Sequence, residues 1–336
     1  MVTKRLVEII DASAGRAVAV IGDVITDEFI YGSLSRVSRE APVLILKHDE
    51  TVVLPGGAGN AAANVADLGG KVRLVGVVGK TSSDKRMLSK LPKSVDHSGL
   101  IQCEDYHAPL KTRILAGGAH GTRQQVVRID RESQELKLSS IRKKFEKAVS
   151  RALIDCEAVL VSDYGSGLVD TAIVSKIKKT LARSRRKVPL VIDSRYNLLK
   201  YPGVTACTPN ESEVEATLGI KIEDNGRRFE RAGRELLKKL RSKGVVITRG
   251  SRGMAVFVPG ERTLHIPVFG TDEVADVTGA GDTVIATIAL SLAAGASLLE
   301  AARLANYAGG LVVMKRGTAT VLSDELRYAV KIESSN

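Results

Sequence analysis

Short apolar runs rich in valine and isoleucine alternate along the chain with longer segments of helical period. The strand-like runs cover residues 17–24, 72–79, 158–163, 188–193 and 245–250. Segments of helical period lie between them, at about 59–68, 170–184 and 225–242. Apolar strands that alternate with crossover helices predict an α/β fold, in which a mainly parallel sheet is covered by helices on both faces.

Two stretches, residues 28–53 and 108–130, lack helical period and are predicted to form pairs of extended segments joined by turns. We expect them to build a small lid of strands beside the main sheet. No repeat or low-complexity linker divides the sequence, so we predict one domain over residues 1–336. Apolar lid positions such as Val43, Ile45 and Ile114 would lie on edge strands of a monomer, which suggests a homodimer formed through the lid.

The charge balance narrows the class of partner. A net charge of +12 favours anionic partners, among them nucleic acid, membrane surfaces and small phosphorylated substrates. Aromatic residues make up only 4% of the chain and tryptophan is absent, so we interpret basic runs such as residues 183–187 as solvated helix ends and expect no nucleic-acid partner. The apolar run 283–299 is too short and too rich in small residues for a membrane span and is predicted to be a buried core helix.

The cysteines and the N-terminal sequence indicate the compartment. Cys103, Cys156 and Cys207 are far apart and follow no metal-binding spacing, so they are interpreted as reduced core thiols. The first residues carry acids among their apolar positions and lack the pattern of an export signal. We therefore expect a cytoplasmic protein.

The stretch VADVTGAGDT, residues 274–283, places an aspartate at the start of an apolar helix and behind two glycines. The backbone N–H groups of Gly279, Ala280 and Gly281 would point outward from the helix N-terminus and form an anion hole. Asp282 alone has an ordinary interpretation as a helix cap. Its combination with an anion hole favours a base that takes a proton from a hydroxyl while the amides stabilise a transferring phosphoryl group.

Other polar residues follow glycine-rich turns and strand ends. In LPGGAGN, Gly56 and Gly57 would bring the backbone close to a polyhydroxyl ligand beside Asn60. Neither the dinucleotide-binding fingerprint nor the Walker loop occurs in the sequence. The three aspartates that follow predicted strands would either form turns or face a cleft at the carboxyl edge of the sheet: Asp23, Asp163 and Asp193.

The GGAGN stretch near residue 60 and the DVTGAGDT stretch near residue 280 together resemble the paired signatures of the ribokinase-like (PfkB-type) sugar kinases. The resemblance covers nearly the whole chain. Within that family the sequence is most similar to the kinase domain of the bifunctional heptose 7-phosphate kinase / ADP-heptose synthase proteins. The stretches that carry this resemblance are YGSLSRVSREAPV, KTRIL, QQVVRID, VSDYGSG, TPNESE and KRGTATV.

The resemblance implies an ATP-dependent phosphotransferase that acts on a sugar hydroxyl, with Asp282 as the catalytic base and residues 279–281 as the anion hole. It implies that Asp23, Gly57 and Asn60 hold sugar hydroxyls. It also implies a nucleotide site bordered by the residues Asn210, Thr248, Arg249, Gly250 and Asn306.

The same resemblance implies binding sites for two ions. Asn210 and Glu213 match an Asn-x-x-Glu element that organises Mg²⁺ through water, which suits a hard cation that keeps its hydration shell. Asp276 and Thr278 resemble a loop that binds a monovalent cation such as K⁺.

Three basic lid residues, Lys111, Arg113 and Arg128, would either meet the phosphate of a sugar phosphate or lie at exposed strand positions.

The sequence departs from the heptose kinases at two places. Ser194-Arg195 follows Asp193 where Pro-Lys is typical, and Ser166 replaces a lysine. Residues 1–336 contain no HxGH nucleotidyltransferase motif, so we expect phosphate transfer without ADP-sugar synthesis. The expected reaction converts a heptose 7-phosphate to the 1,7-bisphosphate. The alternatives are a kinase for another sugar or sugar phosphate, and a catalytically silent sensor of sugar or nucleotide.

Overall fold

The computed structural model describes residues 2–117, 123–132, 138–270 and 276–333. Its helices are α1 (Val2–Ser13), α2 (Ala58–Asp67), α3 (Ser82–Leu88), α4 (Leu138–Ala152), α5 (Thr171–Ala182), α6 (Glu211–Leu218), α7 (Gly226–Leu240), α8 (Ala280–Ala293), α9 (Leu298–Val313) and α10 (Ser323–Glu333). Short 3₁₀ turns lie at Leu198–Lys200 and Gly250–Arg252.

The strands of the described ranges form two sheets. They are β1 (Ala17–Gly22), β2 (Val24–Val37), β3 (Leu44–Gly57), β4 (Lys71–Val78), β5 (Val95–Gln102), β6 (Leu110–Gly117), β7 (Gln124–Arg131), β8 (Ala158–Asp163), β9 (Leu190–Ser194), β10 (Ala206–Cys207), β11 (Gly244–Thr248), β12 (Met254–Phe257) and β13 (Leu264–Ile266).

The larger sheet has the order β13-β12-β11-β10-β9-β8-β1-β4-β5. Strands β11 through β5 of this order run parallel, and β12 and β13 add an antiparallel edge. Successive side chains of β1 point to opposite faces of the sheet. Val18 and Val20 pack with helices α1, α2, α8 and α9 on one face. Ala19 and Ile21 pack with α4 and α5 on the other. The predicted α/β fold, with a mainly parallel sheet covered on both faces, is therefore confirmed.

The smaller sheet has the order β3-β2-β6-β7 and contains both predicted lid segments. Strands β2 and β3 pair antiparallel over most of their length, and β6 lies parallel to β2. Residues 118–122 of the second lid segment lie outside the described residues. The lid strands reach the main sheet directly, because β2 starts two residues after β1 ends and β3 runs into α2.

The apolar run 283–299 is not one helix, so the prediction of a single core helix there was wrong. Helix α8 ends at Ala293, and Gly295 then takes a positive φ of 87° that only glycine adopts without strain. Ser297 starts α9 by accepting a hydrogen bond from the N–H of Glu300, whose carboxylate accepts from Ser297 in return. The chain therefore folds back, and α8 and α9 pack side by side.

The three cysteines are free thiols, and Cys156 and Cys207 are buried in the core. Among the described helices, none has the length and apolar composition that crossing a bilayer requires.

We expect Gly22→Ala to destabilise the protein by about 3 kcal/mol or more, because a Cβ there would lie 1.9 Å from the carbonyl oxygen of Ser162. That oxygen belongs to β8 and cannot move without breaking the β1–β8 pairing. Urea denaturation would measure the loss. Gly226→Ala is the matched control, since nothing lies within 4 Å of a Cβ at that position. Equal stability of both variants would contradict the prediction.

Candidate active site

The parallel strands end at a common edge, and their register brings the predicted strand-end acids together. Gly22 pairs with Ser162, and Asp163 pairs with Ser194, so Asp23, directly after β1, lies level with Asp163, and Asp193 lies one residue earlier on the neighbouring strand β9. This is the carboxyl edge at which open α/β sheets bind ligands.

Asp282 lies in the first turn of α8 and is buried at this edge. The side-chain amide of Asn60 donates to its Oδ2 at 2.9 Å, and the hydroxyl of Tyr164 donates to its Oδ1 at 3.1 Å. Burial raises the pKa of Asp282 to about 7, although both hydrogen bonds act to lower it. A carboxyl group with a pKa near neutrality is well suited to accept a proton from a hydroxyl.

Two of the glycines are required by close contacts. Gly57 has φ 56°, and a Cβ there would lie 2.5 Å from the carbonyl oxygen of Asp23. Gly279 has φ 78°, and a Cβ there would lie 2.4 Å from Nδ2 of Asn60. A larger residue at position 279 would push α8 away from α2 and displace Asn60 from Asp282, and one at position 57 would push the start of α2 away from Asp23.

The start of α8 differs slightly from the predicted one. The helix begins at Ala280, with Gly279 as its N-cap residue, rather than at Asp282. Gly281 is exposed and borders open space, whereas the N–H of Ala280 donates to the carbonyl of Val277 at 3.3 Å. An anion hole at residues 279–281 stays a prediction, and the amide of Ala280 would have to turn from Val277 to join it.

The amide of Asn60, predicted to hold sugar hydroxyls, has protein partners on both sides. Its oxygen accepts from Asn64, one turn further along α2, and its nitrogen donates to Asp282. The oxygen of Asn64 in turn accepts from the hydroxyl of Thr283. In this structure Asn60 therefore orients Asp282, and the network fixes α2 against α8.

Asp23 and Asp163 are buried and hold loops at the sheet edge. Asp23 accepts hydrogen bonds from the hydroxyl of Ser166 and from the N–H of Tyr164. Burial raises the pKa of Asp23, and the nearby charge of Asp163 adds to that effect.

Asp163 accepts from the hydroxyls of Ser194 and Tyr201, at 2.7 and 3.0 Å. The two serines that depart from the heptose-kinase pattern, Ser166 and Ser194, thus each donate to one of these aspartates. A sugar contact by either aspartate stays a prediction.

Asp193, Glu213 and Arg195 form a charged group beside Asp282. Burial and the charges of Glu213 and Asp282 hold the pKa of Asp193 well above its usual range, and burial also raises that of Glu213. Asn210 and Glu213 form a reciprocal capping box at the start of α6, in which Oε2 of Glu213 accepts from the N–H of Asn210 at 2.9 Å.

A divalent cation fits this group, because two neighbouring carboxylates repel each other until a cation or protons neutralise them. Among the described residues, no three His, Cys, Asp or Glu side chains converge as direct metal ligands. Mg²⁺ held through water by Asn210 and Glu213 stays a prediction, and Asp193 is a further carboxylate whose charge interacts with that of Glu213.

The predicted nucleotide residues lie at two places along the edge of β11 and β13. Thr248 forms a bridge with Asn210, and Gly250 has φ 56° in the turn that follows. Arg249 points inward, where it pairs with Glu211 and stacks over the ring of Phe229 at 4.0 Å.

Asn306 is buried on α9 and donates to the carbonyl of Pro267, directly after β13. Its side chain thereby fastens α9 to that strand. A nucleotide contact by Asn306 stays a prediction, as it does for the residues after β11.

Asp276 and Thr278 lie together in the loop before α8. Oδ1 of Asp276 accepts from the N–H of Thr278 at 2.9 Å, and Oδ2 accepts from the N–H of Gly317 at 3.1 Å. The carboxylate ties this loop to the end of α9, so a monovalent cation would have to share Asp276 with both amides. Val274 and the rest of residues 271–275 lie outside the described residues.

The inner face of the lid carries Lys111 and Arg113. Arg113 is buried and forms an ion pair with Asp27. Nζ of Lys111 lies 4.8 Å from the centre of the Tyr164 ring, and removal from water lowers its pKa. Arg128 lies opposite Arg113 in the lid sheet but is more exposed and pairs with Asp130. Lys111 thus contacts Tyr164, whose hydroxyl donates to Asp282.

The sequence predicted no role for Asp27 and Tyr164. In the folded protein the hydroxyl of Tyr164 donates to Asp282, and the charge of Asp27 acts on the same carboxyl group. Asp27 lies on β2 in phase with Ile25 and Phe29, so it is an acid within the apolar phase of an alternating strand. Its carboxylate also explains why residue 56 is a glycine, because a Cβ at that position would lie 2.1 Å from Oδ2 of Asp27. Tyr164 had no comparable signal, since its neighbours in sequence belong to a loop.

Residues 16–325 match the model of the pfkB family of carbohydrate kinases. The chain belongs to that family. Its most similar relatives include the bifunctional protein HldE of Trichlorobacter lovleyi, 37% identical over 94% of this chain, and that of Desulfatibacillum aliphaticivorans, 38% identical over 92%. The chain spans 62% of the length of each of these relatives.

Solved structures share the fold at lower sequence identity. Arabidopsis thaliana ribokinase, solved with ribose and ATP, is 20% identical with a TM-score of 0.72 and covers 94% of this chain and 99% of its own. Escherichia coli phosphofructokinase-2, solved with potassium, is 18% identical with a TM-score of 0.75 and covers 95% and 99%. The resemblance read from the sequence is confirmed, and the protein is a carbohydrate kinase of the pfkB family.

We expect Asp282→Asn to be more stable than the wild type at pH 8, by an amount that shrinks as the pH falls. The pKa of Asp282 is about 7 in the folded state and ~3.9 in an unfolded chain. The folded state therefore binds the proton more tightly, and wild-type stability falls as the pH rises from about 4 to 7, by a few kcal/mol.

Free energies of unfolding measured in urea at pH 4.5, 6 and 8 would check this. The titration of Asp23 and Glu213 cancels in the difference between the two proteins. The raised pKa of Asp193 moves toward its usual range when the charge of Asp282 is removed, which stabilises the variant further at pH 8. A difference that does not change with pH would contradict the prediction.

Proposed function

We propose that the protein transfers the γ-phosphoryl group of ATP to the anomeric hydroxyl of D-glycero-D-manno-heptose 7-phosphate and forms the 1,7-bisphosphate. The observation that carries the proposal is the buried carboxyl group of Asp282, held between Asn60 and Tyr164 at the start of a helix. The similarity to the HldE proteins and to the heptose-kinase sequence pattern supports this choice of acceptor.

In the proposed mechanism, Asp282 accepts the proton of the sugar hydroxyl. The oxygen then attacks the γ-phosphorus, and the bond from that phosphorus to the β–γ bridging oxygen breaks to release ADP. The amides at residues 279–281 would stabilise the charge that develops on the phosphoryl oxygens. Asn210 and Glu213, with Asp193 beside them, would hold the water shell of a Mg²⁺ ion bound with ATP, and that ion would neutralise part of the same charge.

The basic lid residues would hold the phosphate that the acceptor already carries. Lys111 lies over Tyr164 and thus beside the base, and Arg113 lies next to it on the same face of β6. Lys111 has lost part of its hydration, so an anion that meets it gains more than it would at an exposed lysine. An acceptor that carries a phosphate as well as its reacting hydroxyl fits a site with the base on the core and the cations on the lid.

The test is ADP release from Mg-ATP with a panel of sugars and sugar phosphates that includes heptose 7-phosphate. We expect turnover confined to the heptose phosphate, and we expect Asp282→Asn to lower kcat by about 10²- to 10⁴-fold. Asp324→Asn is the matched control, because Asp324 also lies in the first turn of a helix but is exposed.

Each outcome of this assay has a separate meaning. Turnover with a different sugar would be consistent with Asp282 as the base but would reject heptose 7-phosphate as the acceptor. ATP binding without turnover of any acceptor would favour the sensor alternative.

We also propose that the lid mediates a homodimer. The outer part of the β2–β3 hairpin exposes apolar side chains to solvent, each between 51 and 58% accessible: Leu34, Val37, Val43 and Leu44. Every residue of β7, at the lid edge, is exposed as well. Ile45 and Ile114, expected at exposed edge positions, are half-buried. Isolated apolar strands of this kind are rare in monomers unless a partner covers them.

Sedimentation at micromolar concentration would test the dimer. We expect the wild type to sediment as a dimer and the double variant Val37→Glu/Leu44→Glu as a monomer. Ile154→Glu, at an equally exposed apolar residue outside the lid, should remain dimeric. A monomeric wild type would reject the proposal.

A further inference from the structure

Tyr164 lies in the loop between β8 and α5 and is held by two of the buried acids. Its hydroxyl donates to Oδ1 of Asp282 at 3.1 Å, and its backbone N–H donates to Oδ2 of Asp23 at 2.7 Å. Burial and the charge of Asp282 raise the pKa of the Tyr164 hydroxyl well above its usual range. The phenol therefore keeps its proton and remains a hydrogen-bond donor to the base at any physiological pH.

The ring of the same tyrosine contacts the lid. Nζ of Lys111, on β6, lies 4.8 Å from the ring centre, an arrangement in which an ammonium group is attracted to the aromatic face. Lys111 pairs in register with Asp27 on β2 and with Asp130 on β7. One side chain thus connects the proposed base on the core with the proposed phosphate cation on the lid.

Several charged groups surround this contact. Burial and, to a smaller extent, the charge of Asp27 on the lid raise the pKa of Asp282, whereas the hydrogen bonds from Asn60 and Tyr164 and the charge of Lys111 lower it. Asp193, at the end of β9, also faces Tyr164. The surrounding acids favour the protonated form of Asp282, and a protonated carboxyl group cannot act as a base.

We propose that Tyr164 is a positioning residue of the phosphoryl transfer: its hydroxyl orients Asp282 and favours the ionised carboxylate, and its ring holds Lys111 beside the acceptor. The inference rests on the proposed role of Asp282 as the base. Asn60 fixes Oδ2 and Tyr164 fixes Oδ1, so the plane of the carboxylate is set from both sides. A carboxylate oxygen accepts more than one hydrogen bond, which leaves capacity for the acceptor hydroxyl.

The experiment compares kcat/KM for the acceptor between pH 5.5 and 9 in the wild type, Tyr164→Phe and Tyr164→Leu. Loss of the hydroxyl removes a donor to the ionised carboxylate, so in Tyr164→Phe we expect the acidic limb of the profile to move upward by about one pH unit. Activity should fall by about tenfold near pH 6 and approach the wild-type value by pH 8.5. Titration of the substrate phosphate is common to all variants and cancels in the comparison.

Tyr164→Leu also removes the ring. We expect the same shift of the acidic limb together with a higher KM for a phosphorylated acceptor and an unchanged KM for ATP. A KM for the acceptor that is equal in the Phe and Leu variants would overturn the role of the ring.

Tyr201→Phe is the matched control, because Tyr201 is a buried tyrosine whose hydroxyl donates to a different carboxylate, that of Asp163. It should lower thermal stability and leave the acidic limb in place. An unshifted limb in Tyr164→Phe, or an equal shift in Tyr201→Phe, would overturn the inference. Asp282→Asn separates the two proposals: full activity in that variant would reject the base, whereas an inactive Asp282→Asn with an unshifted Tyr164→Phe would reject only the role of Tyr164.

Discussion

The carboxylate of Asp282 is removed from water, and the local architecture depends on the groups that compensate for this. Isolated charges are costly to bury unless hydrogen bonds or opposite charges replace water. Here the amide of Asn60 comes from α2 and the hydroxyl of Tyr164 from the β8–α5 loop. The approach of Asn60 requires Gly279, where a Cβ would lie 2.4 Å from its Nδ2, and the start of α2 requires Gly57, where a Cβ would lie 2.5 Å from the carbonyl oxygen of Asp23. The contacts that pack the starts of α2 and α8 together are thus the same contacts that hold the carboxylate of Asp282.

The same edge of the sheet concentrates acids in a protein whose net charge is strongly positive. Burial raises the pKa of Asp23, Asp193 and Glu213 as well as that of Asp282. Such a group lowers stability at neutral pH and is retained where function needs it. Lys111 of the lid lies over Tyr164 beside this group, and the net charge of +12 would favour the approach of the phosphorylated acceptor that we propose.

Local sequence patterns predicted a helix or strand correctly wherever a single local feature, such as an apolar run or a glycine-rich turn, determined it. The apolar runs became strands and the glycine-rich stretches became helix starts. The prediction failed at residues 283–299, where composition favoured one helix but Gly295 and the Ser297 cap divided it in two. The cap forms between residues three apart in sequence, so the signal was present and the apolar composition outweighed it.

The sequence by itself determined the fold class and the family and indicated Asp282 as the candidate base, because alternation of strands, glycine positions and a carboxylate at a helix start are local features. Tertiary structure alone decided that Asn60 and Tyr164 meet that carboxylate and that Asp27 pairs with Arg113. These partners lie more than 80 residues apart in sequence. Their contacts depend on strand register and helix packing, which no local pattern encodes.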